Sequence, residues 1–142
     1  MMKKIIIILC GLILLVSCEA SNREDYHQLI TIVNKTNKTF YIDWSTQYPD
    51  VNAYKSKPNP ALNGFSKVSA NETTDQVFAS KSSYESIFKY RIPSGVMMIY
   101  VFDGSTLETQ GWDYIKNNNL VYKRYDLTLQ DLNNMNWTLT ID

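Results

Sequence analysis

The chemistry open to this chain is bounded by one histidine, His27, and two cysteines, Cys10 and Cys18. A Ser-His-Asp or Cys-His arrangement would have to use His27. That residue reads as an exposed histidine where an N-terminal tether meets the first strand. One histidine with no thiol beyond residue 18 cannot make the usual zinc set. Nucleophile-elbow, phosphate-loop and dinucleotide fingerprints are absent, as is an Asp-x-Asp-x-Asp-Gly calcium loop. A glycosidase needs two carboxylates converging across a cleft, and no spacing among the 14 acidic residues picks out a pair. Asp43, Asp103 and Asp126 flank strands, where turn and cap roles are commoner. The expectation is therefore a non-enzyme, with no catalytic residue, metal or cofactor.

The cysteines carry a different chemistry. Met1-Met2-Lys3-Lys4 is a short positive segment, and Ile5 to Val16 is apolar apart from Cys10 and Gly11. That run is too short to span a bilayer, which takes about 20 residues, and it fits the apolar core of an export signal. Leu15-Val16-Ser17-Cys18 resembles the bacterial lipobox, with Leu at −3, a small residue at −1, then Cys. The resemblance implies a signal peptide at 1–17, a diacylglyceryl thioether on Cys18, cleavage before it, and acylation of the new amino group, with palmitate a typical chain. Cys10 fits poorly, because Leu9 stands where a small residue is needed. The alternative is an uncleaved apolar anchor with an incidental cysteine. Several acyl chains at one residue give stable anchoring, so the lipid bilayer is the expected partner through Cys18. Residues 18–25, the cysteine and its polar tether, connect to a single domain at 26–142. Arg23-Glu24-Asp25 resembles the short acidic export signals of Bacteroidetes surface lipoproteins; a merely soluble tether has the same composition. The expected location is the cell envelope, on the outer membrane, facing the periplasm or the surface.

The elements of the domain follow from residue patterning. Leu29 to Val33 and Thr39 to Trp44 are β-branched and aromatic and read as strands. The polar turn Asn34 to Lys38 between them suggests a hairpin. The stretch from Gln47 to Ser69 is loop-rich and unusually long. Gln76 to Ala79 reads as a short strand, and Ser82 or Ser83 as the cap of a helix that ends before Pro93. Val96 to Phe102 is continuously apolar and reads as a central strand covered on both faces. Thr106 to Lys116 favours a helix, weakened by Gly111. Leu120 to Tyr125 alternates as a strand. Thr128 with Asp131 looks like a helix start, and Trp137 to Ile141 closes as a strand. The fold expected is mainly β: an antiparallel sheet or β-sandwich with two or three short helices, with a single-sheet α+β fold as the alternative.

The tail Lys-Arg-Tyr-Asp-Leu-Thr-Leu-Gln-Asp-Leu-Asn-Asn-Met-Asn-Trp-Thr, from Lys123 to Thr138, resembles the ending of many small Bacteroidales lipoproteins. In those, too, a strand leads into a short helix and then an Asn-Trp strand. The likeness covers the signal and about the last 20 residues. It implies source and compartment, and no activity comes with it.

Binding remains. Basic and acidic residues balance at 14 each, with no run of like charge, so nucleic acid is not an expected partner. Trp44, Tyr48, Tyr54, Trp112 and Tyr114 fall in or near loops, and exposed aromatic faces stack on sugar rings. Aromatics of a sandwich more often fill its core, and Trp137 is the strongest core candidate. The expected role is a non-catalytic domain that binds a protein or glycan at the envelope. A structural or assembly component is the alternative, and an inhibitor of a toxin or hydrolase a third.

Overall fold

The computed structural model describes residues 26–142. The signal peptide 1–17, Cys18 and the tether to residue 25 lie outside the described residues. Seven strands form two sheets. One has the order β4–β1–β7, from β1 (Thr31–Asn34), β4 (Thr73–Thr74) and β7 (Thr138–Ile141). The other has the order β3–β2–β5–β6, from β2 (Phe40–Ser45), β3 (Lys67–Val68), β5 (Met97–Asp103) and β6 (Lys123–Leu127). Every pairing is antiparallel except β1 with β7, which run parallel from Thr31 beside Thr138 to Asn34 beside Ile141. Four α-helices join them: α1 (Tyr84–Arg91), α2 (Gly104–Gln110), α3 (Trp112–Asn118) and α4 (Leu129–Asn134).

The apolar run of β5 explains the layering. Met97, Ile99 and Val101 face the space between the sheets, where they meet Ile32 of β1, Ile42 of β2 and Leu139 of β7. Met98, Tyr100 and Phe102 face the opposite way, into a second core closed by Leu107, Trp112 and Ile115 of α2 and α3 and by Tyr54. Alternation puts successive side chains on opposite faces, so the unbroken apolar and aromatic run Met97–Phe102 needs cover on both. Each buried apolar side chain here contributes roughly 1.5–3 kcal/mol.

Three local expectations are corrected. The hairpin of β1 and β2 does not form, because the two strands lie in different sheets. The Asn34 side chain redirects the chain: its amide donates to Lys38 O and Ser69 O at 2.7 and 2.8 Å, and its Oδ1 accepts from Thr36 N at 3.0 Å. Ile32 and Ile42 then enter one core from opposite sheets. The strand expected at Gln76–Ala79 is a 3-10 turn, Gln76–Phe78, that buries Phe78; strand pairing falls instead at Thr73–Thr74. The helix expected at Thr106–Lys116 becomes two, which brings the short helices among the described residues to four. Gly111 has φ of 86°, a value outside the helical range that glycine adopts without strain; its N–H still donates to Leu107 O to close α2 and its carbonyl accepts from Ile115 N to open α3. Asp103, at the end of β5, caps α2 by accepting from Thr106 N at 2.9 Å.

Candidate functional site

A surface groove of about 930 Å³ lies between α1 and α4, within the range usual for ligand sites. Glu85 and Tyr90 of α1 form one wall and Gln130 and Asn133 of α4 the other, with Tyr26 and His27 between. Each helix is held by its cap. Ser83 Oγ accepts from Ser86 N at 3.2 Å at the start of α1. Thr128 and Asp131 exchange side-chain-to-backbone bonds at the start of α4, a capping box. Buried Ile87, Phe88 and Leu132 tie the helices to the core between the sheets.

His27 is the fixed centre of this groove. Its Nδ1 lies 2.7 Å from Glu85 Oε1, and its backbone N–H donates to Glu85 Oε2 at 3.1 Å. Its carbonyl accepts from Tyr84 N at 2.7 Å. One ring face stacks on Trp137, with centroids 4.0 Å apart and planes 10° apart. The Trp137 indole N–H donates to Asn133 Oδ1 at 3.1 Å, which ties the stack to α4. Asn136 and Trp137 have φ of 49° and 56°. A left-handed backbone costs a bulky residue on the order of 1–2 kcal/mol, and here it lies where α4 turns into β7, under the groove. With Nδ1 committed to Glu85, Nε2 is the ring nitrogen left for an incoming group. The Thr128 hydroxyl, another groove residue, donates to Asp131 Oδ2 at 2.6 Å. The arrangement can stack a ring, hold a hydroxyl and keep both in a fixed geometry.

The aromatic residues singled out by sequence divide. Trp44, Tyr48 and Tyr114 are exposed. Tyr54 and Trp112, at 2% and 8% exposure, are core residues and are corrected as ligand-stacking candidates. The turn at Ala53–Ser56 folds back over the outer face of β2 and β5, which sets Tyr54 against Tyr100 at 5.1 Å and Phe102 at 5.6 Å. Lys57 joins Trp44 to Trp112. Its carbonyl accepts from the Trp112 indole N–H at 3.0 Å, while its Nζ binds Asp43 Oδ1 at 2.7 Å and Trp44 O, and lies 5.7 Å from the Trp44 ring centre. The adjoining cavity of about 200 Å³ is below the usual range for a ligand site. Tyr114, on α3, shares neither this cavity nor the groove.

His27, Glu85 and Tyr90 were not legible as a site. His27 and Glu85 are 58 positions apart, and neither carries a motif. Among the described residues, no three His, Cys, Asp or Glu converge as metal ligands, and no helix is long and apolar enough to cross a membrane. Comparison with protein-family models, curated proteins and solved structures finds no match to the chain.

Proposed function

We propose that this chain is a lipid-anchored bacterial envelope protein, acylated at Cys18, whose domain is a non-catalytic module that binds a glycan in the α1–α4 groove. The carrying observation is the groove's composition. The exposed Tyr26 and Tyr90 line it together with His27, which is clamped through Nδ1 by Glu85. Aromatic faces with a few placed polar groups are what a sugar ring requires. The cavity beside the exposed Trp44 holds only about 200 Å³.

The test is binding of the acylated protein, in detergent micelles, to an oligosaccharide panel. Tyr90→Ala and His27→Ala are each expected to lower affinity about tenfold, equivalent to about 1.4 kcal/mol. Absence of panel binding even with oligosaccharide on the order of mM, or unchanged affinity in both variants, overturns the reading. The anchor is tested separately: Cys18→Ala is expected to abolish fatty-acid labelling and release the protein from membranes.

One observation favours a second reading, a protein partner in envelope assembly. Leu62 and Phe65 stand exposed at 81% and 63% on a turn whose own polar groups are satisfied. Asn59 Oδ1 accepts from Ala61 N, Asn63 Oδ1 from Phe65 N, and Ser66 Oγ donates to Pro60 O. A pinned turn offering two large apolar side chains suits a protein contact. Loss of co-purifying envelope protein in Leu62→Ser with Phe65→Ser, with glycan binding intact, would support it.

A further inference from the structure

We infer that the occupant of the α1–α4 groove is the saccharide headgroup of a lipid in the membrane that carries the protein, not a free glycan. The inference rests on the reading of Cys18 as the anchor and of the groove as a glycan site.

Position is the first support. Tyr26 is itself a groove residue, and seven residues separate it from Cys18. The eight Cα–Cα steps from Cys18 to Tyr26 reach at most about 29 Å even when fully extended. The strand register puts the groove at that end of the domain. β1 and β7 begin there together, Thr31 beside Thr138, and β5 begins two residues after Gly95, another groove residue. With Cys18 acylated, the groove wall cannot stand farther from the bilayer than that span.

Depth is the second support. The side chains of His27 and Glu85 remain 32% and 22% exposed, so the polar centre of the groove is only partly desolvated. A site that buries few hydrogen-bonding groups binds a single sugar weakly, because little surplus remains after the cost of ordering. Holding ligand and site on one surface raises the effective concentration to the order of mM, which makes a weak site useful. A free glycan has no such gain.

Rim chemistry is the third. Tyr90 is 71% exposed, and the Lys89 ammonium lies 5.1 Å from its ring centre. Tyrosine joins an apolar ring to a polar tip, the combination enriched at membrane–water interfaces. Tyr26, 68% exposed, lines the same groove, so a headgroup held there has an exposed tyrosine from the start of the domain as well as one from α1.

The experiment uses the full acylated protein, purified from membranes and reconstituted into phosphatidylcholine vesicles. The vesicles are either plain or doped with glucosyl and galactosyl diacylglycerol. A third arm adds free methyl glucoside and methyl galactoside to plain vesicles at the same total concentration. Amide hydrogen exchange is read at residues 84–91 and 129–134. Doped vesicles are expected to slow exchange in both segments by about tenfold, the free sugars to leave it unchanged. Tyr90→Ala is expected to abolish the slowing while leaving exchange on plain vesicles as in the parent. Equal slowing by free sugars overturns the membrane source and leaves the groove reading standing. No slowing in any arm overturns both, and protein that does not stay with the vesicles overturns the anchor on which both depend.

Discussion

The imidazole of His27 lies flat on the indole of Trp137, ring centres 4.0 Å apart, while Glu85 holds its Nδ1 at 2.7 Å. The stack joins the start of the domain to the residue where α4 becomes β7. Trp137 is buried, so Trp137→Ala is expected to cost about 3–5 kcal/mol. His27→Ala removes one hydrogen bond to a carboxylate and one ring contact, and about 1.5–3 kcal/mol is expected. The two losses share one contact, so the double variant should cost about 0.5–1.5 kcal/mol less than their sum. Urea unfolding of the four proteins measures this; strict additivity would show that the stack contributes nothing.

Gly104 opens α2 directly against β2. Its N–H donates to Thr39 O at 2.8 Å, and a Cβ built on it would lie 2.7 Å from that same oxygen. The obstruction is backbone, which cannot rotate away as a side-chain tip can. Gly104→Ala is therefore expected to lower stability by about 1–3 kcal/mol, through overpacking and not through conformational entropy. Gly64, where a Cβ meets nothing within 4 Å and φ is unexceptional, is the control; Gly64→Ala should leave the urea midpoint nearly unchanged.

The elements that could be read from sequence are those whose signal is local. The unbroken apolar run at Met97–Phe102 required cover on both faces and received it. Ser83 and Thr128 announced their helices because a cap acts within three residues. The hairpin failed for the converse reason. The apolar positions of β1 and β2 satisfy a hairpin and a corner between sheets equally well. The choice is made by the Asn34 side chain reaching Ser69, 35 positions away. The aromatic candidates failed in the same way, since exposure at Tyr54 is decided by how the 53–56 turn lies on β5. The groove was invisible because its centre unites His27, Glu85 and Trp137, each unremarkable among its own neighbours.

Tyr100 gives the second core a sensitivity to alkali. Burial pushes its hydroxyl up to about 12, partly opposed by Arg124. Its bond is to Met98 Sδ at 3.4 Å, a weak acceptor. In the unfolded chain a tyrosine ionises near 10. Between about pH 10 and 12 unfolding therefore releases a proton that the folded state retains, and stability falls as pH rises through that window. Tyr100→Phe should cost little at pH 7, since only a poor hydrogen bond is lost. It should also lose less stability than the parent between pH 9 and 11.5. Urea midpoints followed across that range decide it; parallel declines would place the alkaline sensitivity elsewhere, with Tyr84, also raised by burial, the next candidate.

The start of α4 carries a matching sensitivity to acid. Thr128 Oγ accepts from Asp131 N at 3.1 Å, and Asp131 Oδ2 accepts from Thr128 N at 2.8 Å and from its hydroxyl at 2.6 Å. Those bonds, the hydroxyl's first, hold the Asp131 carboxyl below its ordinary range. A depressed folded value means the stabilisation is present above the unfolded value, near 3.9, and is lost as pH falls through the folded one. α4 has six residues, too few to persist without its cap and the burial of Leu132. Thr128→Ala is expected to cost about 0.5–2 kcal/mol at pH 7. The gap between the parent and Asp131→Asn should close as pH falls below about 4. Because α4 is one wall of the groove, Thr128→Ala should also speed amide exchange at residues 129–134 more than at 84–91. Equal acceleration of both segments would mean the cap supports the whole domain and not this wall.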